Sequence, residues 1–258
     1  MKHLILTLTL IGIVTITYSQ STLLWSEDFS TGLDNYYLEY PSIQTVADTI
    51  NVIGRKNTDD GQRLLIVKYD LYGDTISKKT YGNDSVFNNV IIDYKFDTLN
   101  HVYILNQEQL GFYKKKIVLQ KYSIDGNLIW VEQIQSPADT SFTPRSLALA
   151  NDTCVFITAY KEYDYPEQYD DVVSTTMLSH LYVYNSEGSQ LWHREFNPST
   201  ELNWFAYDIF IHNNEIFLFG SLGKLVKVDI NNNLTFNGNT DVLNGINDIQ
   251  ATSDNNLS

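Results

Sequence analysis

One pattern recurs four times along this chain and constrains its fold more than any other feature. The copies are LLIVKYDLYGDTISKKTYG from Leu64, IVLQKYSIDGNLIWVEQIQ from Ile117, SHLYVYNSEGSQLWHREFN from Ser179 and GKLVKVDINNNLTFNG from Gly223. In each, an alternating or apolar β-rich run enters a polar turn containing Gly73, Gly126, Gly188 or Asn232, and a second alternating run follows. Alternation on both sides of one short polar turn predicts a β-hairpin. The turns fit a type I turn followed by one residue at positive φ, where Gly has no steric penalty and Asn is its best substitute. Four residues after the turn glycine stand Trp130 and Trp192, with Phe236 at the same place in the fourth copy. A large aromatic at a fixed offset predicts an anchor that packs one sheet on the next.

A second motif precedes each hairpin: SIQTVADTINVIG, IIDYKFDTLNHVYIL, SLALANDTCVFITAY and DIFIHNNEIFLFG. Every unit therefore carries two hairpins and about four strands. The turn positions are spaced by 53, 62 and 44 residues, irregular but centred near one four-stranded propeller blade. The expected fold is all-β: a propeller-like array of four-stranded antiparallel blades, four nearly complete and a fifth begun. The segment TLLWSEDFSTGLDNY matches only the last strand of a unit, with Leu24 and Trp25 where Ile129 and Trp130 stand. INDIQATSDNNLS matches only the opening of a unit, so the repeat domain at 20–258 is expected to be truncated at its C-terminus. A closed ring of four or five blades and an open stack of sheets are the alternatives.

Val67, Lys68, Tyr69, Asp70 and Gly73, then Thr80, Tyr81 and Gly82, together with Lys121, Tyr122, Asp125, Gly126 and Trp130, resemble the secreted bacterial β-propeller repeat proteins. Their units read roughly as K-Y-D, two residues, G, three residues, W and an aromatic-Gly ending. The resemblance covers most of residues 22–258, with Ser77 standing where Trp would be expected and the fourth copy lacking both Gly and Trp. It implies a large exported or surface-attached product. The Gly126 to Trp130 spacing is also similar to the Trp-docking repeat of quinoprotein dehydrogenases.

Export is also read from the first residues. Lys2 and His3, the apolar run Leu4 to Ile16 and the small Ser19 follow the order of a secretory signal peptide over 1–19, cleaved before Gln20. A membrane span needs about 20 predominantly apolar residues, and the threonines of this run leave it short. A secreted or cell-surface location follows, with no membrane span after leader removal. The formal net charge of −14 repels phosphate backbones, so nucleic acid is not an expected partner. Cys154 is the only cysteine, so packing alone must hold the fold.

No linear catalytic motif is present: neither H-E-x-x-H, nor G-x-S-x-G, nor a phosphate-binding or dinucleotide fingerprint. The lysines of GFYKKKIV read as an exposed guard on a strand edge. Asp59, Asp60, Asp70, Asp97 and Asp125 occupy turns, where the side chain bonds its own backbone. Asp93 and Asp208 recur ahead of the second motif's turn, where they could line one face of a ring. The insertion KEYDYPEQYDD offers Tyr163, Tyr165 and Tyr169 as a sugar- or peptide-binding platform. Asp164, Glu167, Asp170 and Asp171 there are hard oxygen ligands, which makes calcium the one cofactor to consider, without EF-hand spacing. The expected function is an exported non-catalytic module for adhesion, ligand binding or scaffolding, with a protein or glycan partner at the cell surface. The alternative is a propeller enzyme, a glycan-acting hydrolase or a quinoprotein-like oxidoreductase, with key residues in missing blades.

Overall fold

The computed structural model describes residues 38–46, 48–58, 61–82, 89–110, 115–134, 140–150, 154–163, 178–196, 206–221, 224–231 and 234–239. Its regular elements are strands, arranged as four consecutive antiparallel meanders. The first comprises β1 (Leu38–Val46), β2 (Thr49–Thr58), β3 (Gly61–Asp70) and β4 (Thr75–Tyr81). The second has β5 (Asn89–Phe96), β6 (Val102–Gln109), β7 (Lys115–Tyr122) and β8 (Leu128–Ile134). The third has β9 (Thr140–Ala150), β10 (Cys154–Tyr163), β11 (Leu178–Asn185) and β12 (Gln190–Phe196). The fourth has β13 (Ala206–His212), β14 (Glu215–Gly220), β15 (Lys224–Asp229) and β16 (Leu234–Asn239). One parallel bridge, Gly61 with Asn89, joins the first two meanders into an eight-stranded sheet.

The predicted hairpins fall on β3–β4, β7–β8, β11–β12 and β15–β16, and the preceding motifs on the first two strands of each meander. Middle strands read as continuous apolar runs because neighbouring sheets cover both their faces. Fourth strands β4, β8 and β12 repeat one alternating pattern of exposure that ends in a buried residue. Three apolar clusters lie between successive sheets: Ile53, Leu64 and Tyr81 with Ile104; Leu105 and Leu119 with Ile157; Phe156 and Leu181 with Leu218. Each such side chain contributes about 1.5–3 kcal/mol by leaving water. The sheets are therefore held face to face by side-chain packing rather than by backbone ladders.

The turns take the expected form. Gly73, Gly126 and Gly188 sit at φ of 92°, 88° and 87°, and each amide bonds the carbonyl three residues earlier. Asp70 and Asn185 each accept two amides of their own turn on one side-chain oxygen. Trp130 donates its indole N–H to the carbonyl of Ser186 at 2.8 Å, and Trp192 donates to that of Ile230 at 3.2 Å. The acceptors are equivalent turn residues of the following meander, so each indole bridges two successive sheets. Trp25 and Asn232 lie outside the described residues. The lysine cluster departs from expectation: Lys116 lies on the inner strand β7, half-buried, and pairs with Glu108 of β6 at 2.5 Å. It is not an edge guard, because β7 is hydrogen-bonded on both sides.

Candidate functional site

The first strands β5, β9 and β13 lie side by side, and each pairs with a strand of its own meander. Every first strand also carries a β-bulge at the same point. Pairing skips Tyr40 and Pro41 in β1, Ile92 in β5, Arg145 in β9 and Tyr207 in β13. A bulge adds one residue, bends the strand and re-aims the next side chain. The residues that follow are Ser42, Asp93, Ser146 and Asp208, four polar groups at one level.

These groups meet across sheets. Asp93 accepts the amide of Leu147 in β9 at 2.9 Å, and the Ser146 hydroxyl donates to Asp208 at 2.6 Å. Ser42 and the Tyr94 hydroxyl share a hydrogen bond of 2.6 Å. The two carboxylates thus contact adjacent residues of β9 from the two neighbouring strands. Asp93 also accepts from the Tyr94 amide at 2.8 Å and lies 3.3 Å from the Lys95 ammonium. Burial pushes its carboxyl above the usual aspartate range, against the opposing pull of Lys95 and the two amides. Arg145 and Lys95 are exposed, and Tyr207 is 44% exposed. The set thus holds two carboxylates, two serine hydroxyls, a guanidinium, an ammonium and two phenols, group types that serve proton transfer and the binding of a polar ligand.

Histidines elsewhere form structural contacts. Asp97 is buried, caps its turn through the amides of Leu99 and His101, and holds His101 Nδ1 at 2.8 Å. His180 Nδ1 and His193 Nε2 are 3.0 Å apart in rings only 5° from parallel. Centroids 5.2 Å apart fit edge-to-edge joining through one N–H···N bond, so the two lone pairs do not converge on a metal. Burial lowers the His193 pKa against the pull of Glu195, and it raises that of the neighbouring Tyr182 to about 12. Among the described residues no three His, Cys, Asp or Glu side chains group to hold a metal ion.

Of the predicted loop platform, Tyr163 ends β10 with its backbone paired to Thr140. Tyr165, Tyr169 and the calcium candidates Asp164, Glu167, Asp170 and Asp171 lie outside the described residues. Asp59 and Asp60 do as well, while Asp125 forms an exposed pair with Lys79 at 3.3 Å. Sequence reasoning singled out Asp93 and Asp208 but not Ser42, Arg145, Ser146 or Tyr207. Their common signal is the bulge, which strand pairing creates and no residue type announces.

No protein-family model matches the chain, and no curated protein matches it. Solved structures do. The polysaccharide lyase Uly1 superposes with a TM-score of 0.51 at 10% identity, covering 80% of this chain and 50% of the lyase. A subtype N10 neuraminidase-like protein of A/little yellow-shouldered bat/Guatemala gives 0.48 at 11%, covering 78% of this chain and 57% of that one. A mannose phosphorylase from Leishmania mexicana gives 0.43 at 12%, with 78% and 72% covered. The chain spans about half the length of the first two. The shared fold is all-β and propeller-like. The expectation of a non-catalytic module is corrected here in favour of the propeller-enzyme alternative, because the fold is shared with an enzyme, the polysaccharide lyase. The physical reason is that residues such as Asp93, Ser146 and Asp208 meet only after folding, so the lack of a linear motif never argued against a site.

Proposed function

We propose that this chain is part of an exported, propeller-like enzyme that acts on glycans at the first-strand edges, with Asp93 transferring a proton and Asp208 the second carboxylate. The observation that carries the reading is Asp93: a bulge-presented carboxyl, raised in pKa by burial, one strand away from a second carboxyl. Cleaving a glycosidic bond requires a positioned group that gives or takes a proton, and enzymes raise carboxyl pKa values for that purpose. The fold shared with a polysaccharide lyase supports a glycan as the substrate class. The exposed ring of Tyr207 beside Asp208 offers a face on which a sugar ring can stack.

The test is turnover of a polysaccharide panel by the full chain, following reducing ends and unsaturated products in parallel. Asp93→Asn keeps the shape and an acceptor for Leu147 N–H but cannot ionise, and it is expected to lower kcat about 10²- to 10⁴-fold. The pH profile gives the role. An Asp93 acting as acid loses activity as pH rises through its raised pKa, and one acting as base gains it. Turnover unchanged in Asp93→Asn would sink the proposal, as would none on any polymer.

A further inference from the structure

The bulge that presents Asp93 is held from the first meander, by side chains that proton transfer does not use. Pairing between β5 and β6 skips Ile92, and a bulge leaves its extra residue without a place in the ladder. The Ile92 carbonyl accepts instead from the Arg55 guanidinium of β2 at 2.8 Å. One residue earlier, the Ile91 amide donates to Gln62 Oε1 of β3 at 3.0 Å. One residue after Asp93, the Tyr94 hydroxyl shares a hydrogen bond with Ser42 of β1 at 2.6 Å. Asp93 is thus bracketed by bonds to three strands of the neighbouring sheet. The Ile92 carbonyl and the Asp93 amide belong to one planar peptide unit, so holding that oxygen restrains the direction in which the Asp93 side chain leaves the strand. The two sheets meet at the Gly61–Asn89 bridge, where a Cβ on Gly61 would lie 2.9 Å from the Asn89 amide nitrogen, and Gln62 is the next residue. Asp208 is held in another way, because Ser146 donates to its carboxylate directly. Ser42, at the matching place in β1, reaches Tyr94 rather than Asp93, whose carboxylate is turned to the Leu147 amide at 2.9 Å.

We propose that Arg55 and Gln62 are positioning residues for Asp93, clamping the β5 bulge from the first meander so that the carboxylate stays on the Leu147 amide. The use of Asp93 in a reaction rests on the glycan-acting reading, whereas the clamp is a matter of geometry and needs no substrate. Arg55 holds the backbone oxygen through a charged donor, which makes its bond the stronger of the two. Gln62 adds a second, neutral restraint on the adjoining amide.

Hydrogen exchange at the Leu147 amide of the full chain reads the Asp93 orientation without a substrate. Arg55→Met keeps an apolar stem and removes the donor. It is expected to speed that exchange about 10-fold, the value of one hydrogen bond, while the Leu119 amide in the β7 ladder exchanges as in the parent. Gln62→Met removes only a neutral acceptor and is expected to give a smaller change in the same direction, which keeps the clamp testable where Arg55→Met does not fold. Leu147 exchange as slow as the parent's in either folded variant would overturn the proposal. So would equal acceleration at Leu119, the mark of general loosening. On a polysaccharide that the parent turns over, Arg55→Met is expected to lower kcat about 10- to 100-fold with KM within about twofold. A rise in KM alone would overturn the positioning role. Faster Leu147 exchange in a chain that turns over no polysaccharide would remove the enzyme reading and keep the clamp. Turnover that requires Asp93 and is unchanged in Arg55→Met would do the reverse.

Discussion

The junction of the second and third meanders and that of the first and second solve one problem with different side chains. In both, the fourth strand of one sheet must satisfy a carbonyl at the second position of the next sheet's turn. At the later junction Trp130 donates to Ser186, its ring packs edge-on to Tyr103 at 5.9 Å, and Gly188 lies beneath it. At the earlier one Ser77 occupies the tryptophan position, and two residues further along the strand take over. Lys79 Nζ reaches the Ile124 carbonyl at 2.6 Å and the Tyr81 hydroxyl reaches it at 3.3 Å. The carbonyl is thus the invariant of the architecture and the donor is interchangeable. The packing differs: an indole buries a large apolar surface, whereas a lysine leaves the space above the turn open.

The largest break in this comparison is Trp130→Ala. It removes an inter-sheet anchor and leaves the Ser186 carbonyl with only the Lys121 ammonium at 3.2 Å, and a cost of about 3–5 kcal/mol is expected. Chemical denaturation should report it, and a loss below about 1 kcal/mol would show that the ring is not an anchor. The glycines give the next contrast. A Cβ on Gly188 would meet the Trp130 ring at 2.9 Å, whereas one on Gly126 would meet nothing within 4 Å. Both sit at positive φ, so Gly126→Ala carries only the backbone cost of about 1–2 kcal/mol. Gly188→Ala adds overpacking of about 1–3 kcal/mol. Equal midpoint shifts for the two variants would dissolve the difference between the junctions.

Much of this was legible in the sequence because hairpins obey local rules. Period-two alternation, a turn Gly at fixed spacing and Trp130 four residues beyond Gly126 all act within about 20 residues of chain, and all reappear in the fold. The candidate site was only half legible. Asp93 and Asp208 stood out by recurrence, but their partners Leu147 and Ser146 lie 54 and 62 residues away. The bulge residues Ile92, Arg145 and Tyr207 share no chemistry, because a bulge is a property of two paired strands rather than of one. The Lys116 pair was misread for the same reason: whether a lysine guards an edge depends on which strand takes the next place in the sheet.

The gentlest changes sharpen the comparison by converting one junction into the other. Ser77→Trp places a ring where Trp130 stands in the next meander, above the open space at Gly126. If that space is the vacancy left by the missing indole, the variant gains about 1 kcal/mol from apolar burial. Gly126→Ala then becomes costlier in that background than in the parent, and a double-mutant cycle measures the coupling. Lys79→Ala is the smallest change. Its ion pair with Asp125 has side-chain exposures of 33% and 76% and is screened by salt, and the Tyr81 hydroxyl still reaches the Ile124 carbonyl when the lysine is gone, so a cost of about 0.5–1 kcal/mol is expected. In Ser77→Trp the indole supplies the donor to Ile124, and Lys79→Ala should then cost nothing measurable. An undiminished cost there would mean that the carbonyl still depends on the lysine, and that the two junctions cannot be interconverted at this position.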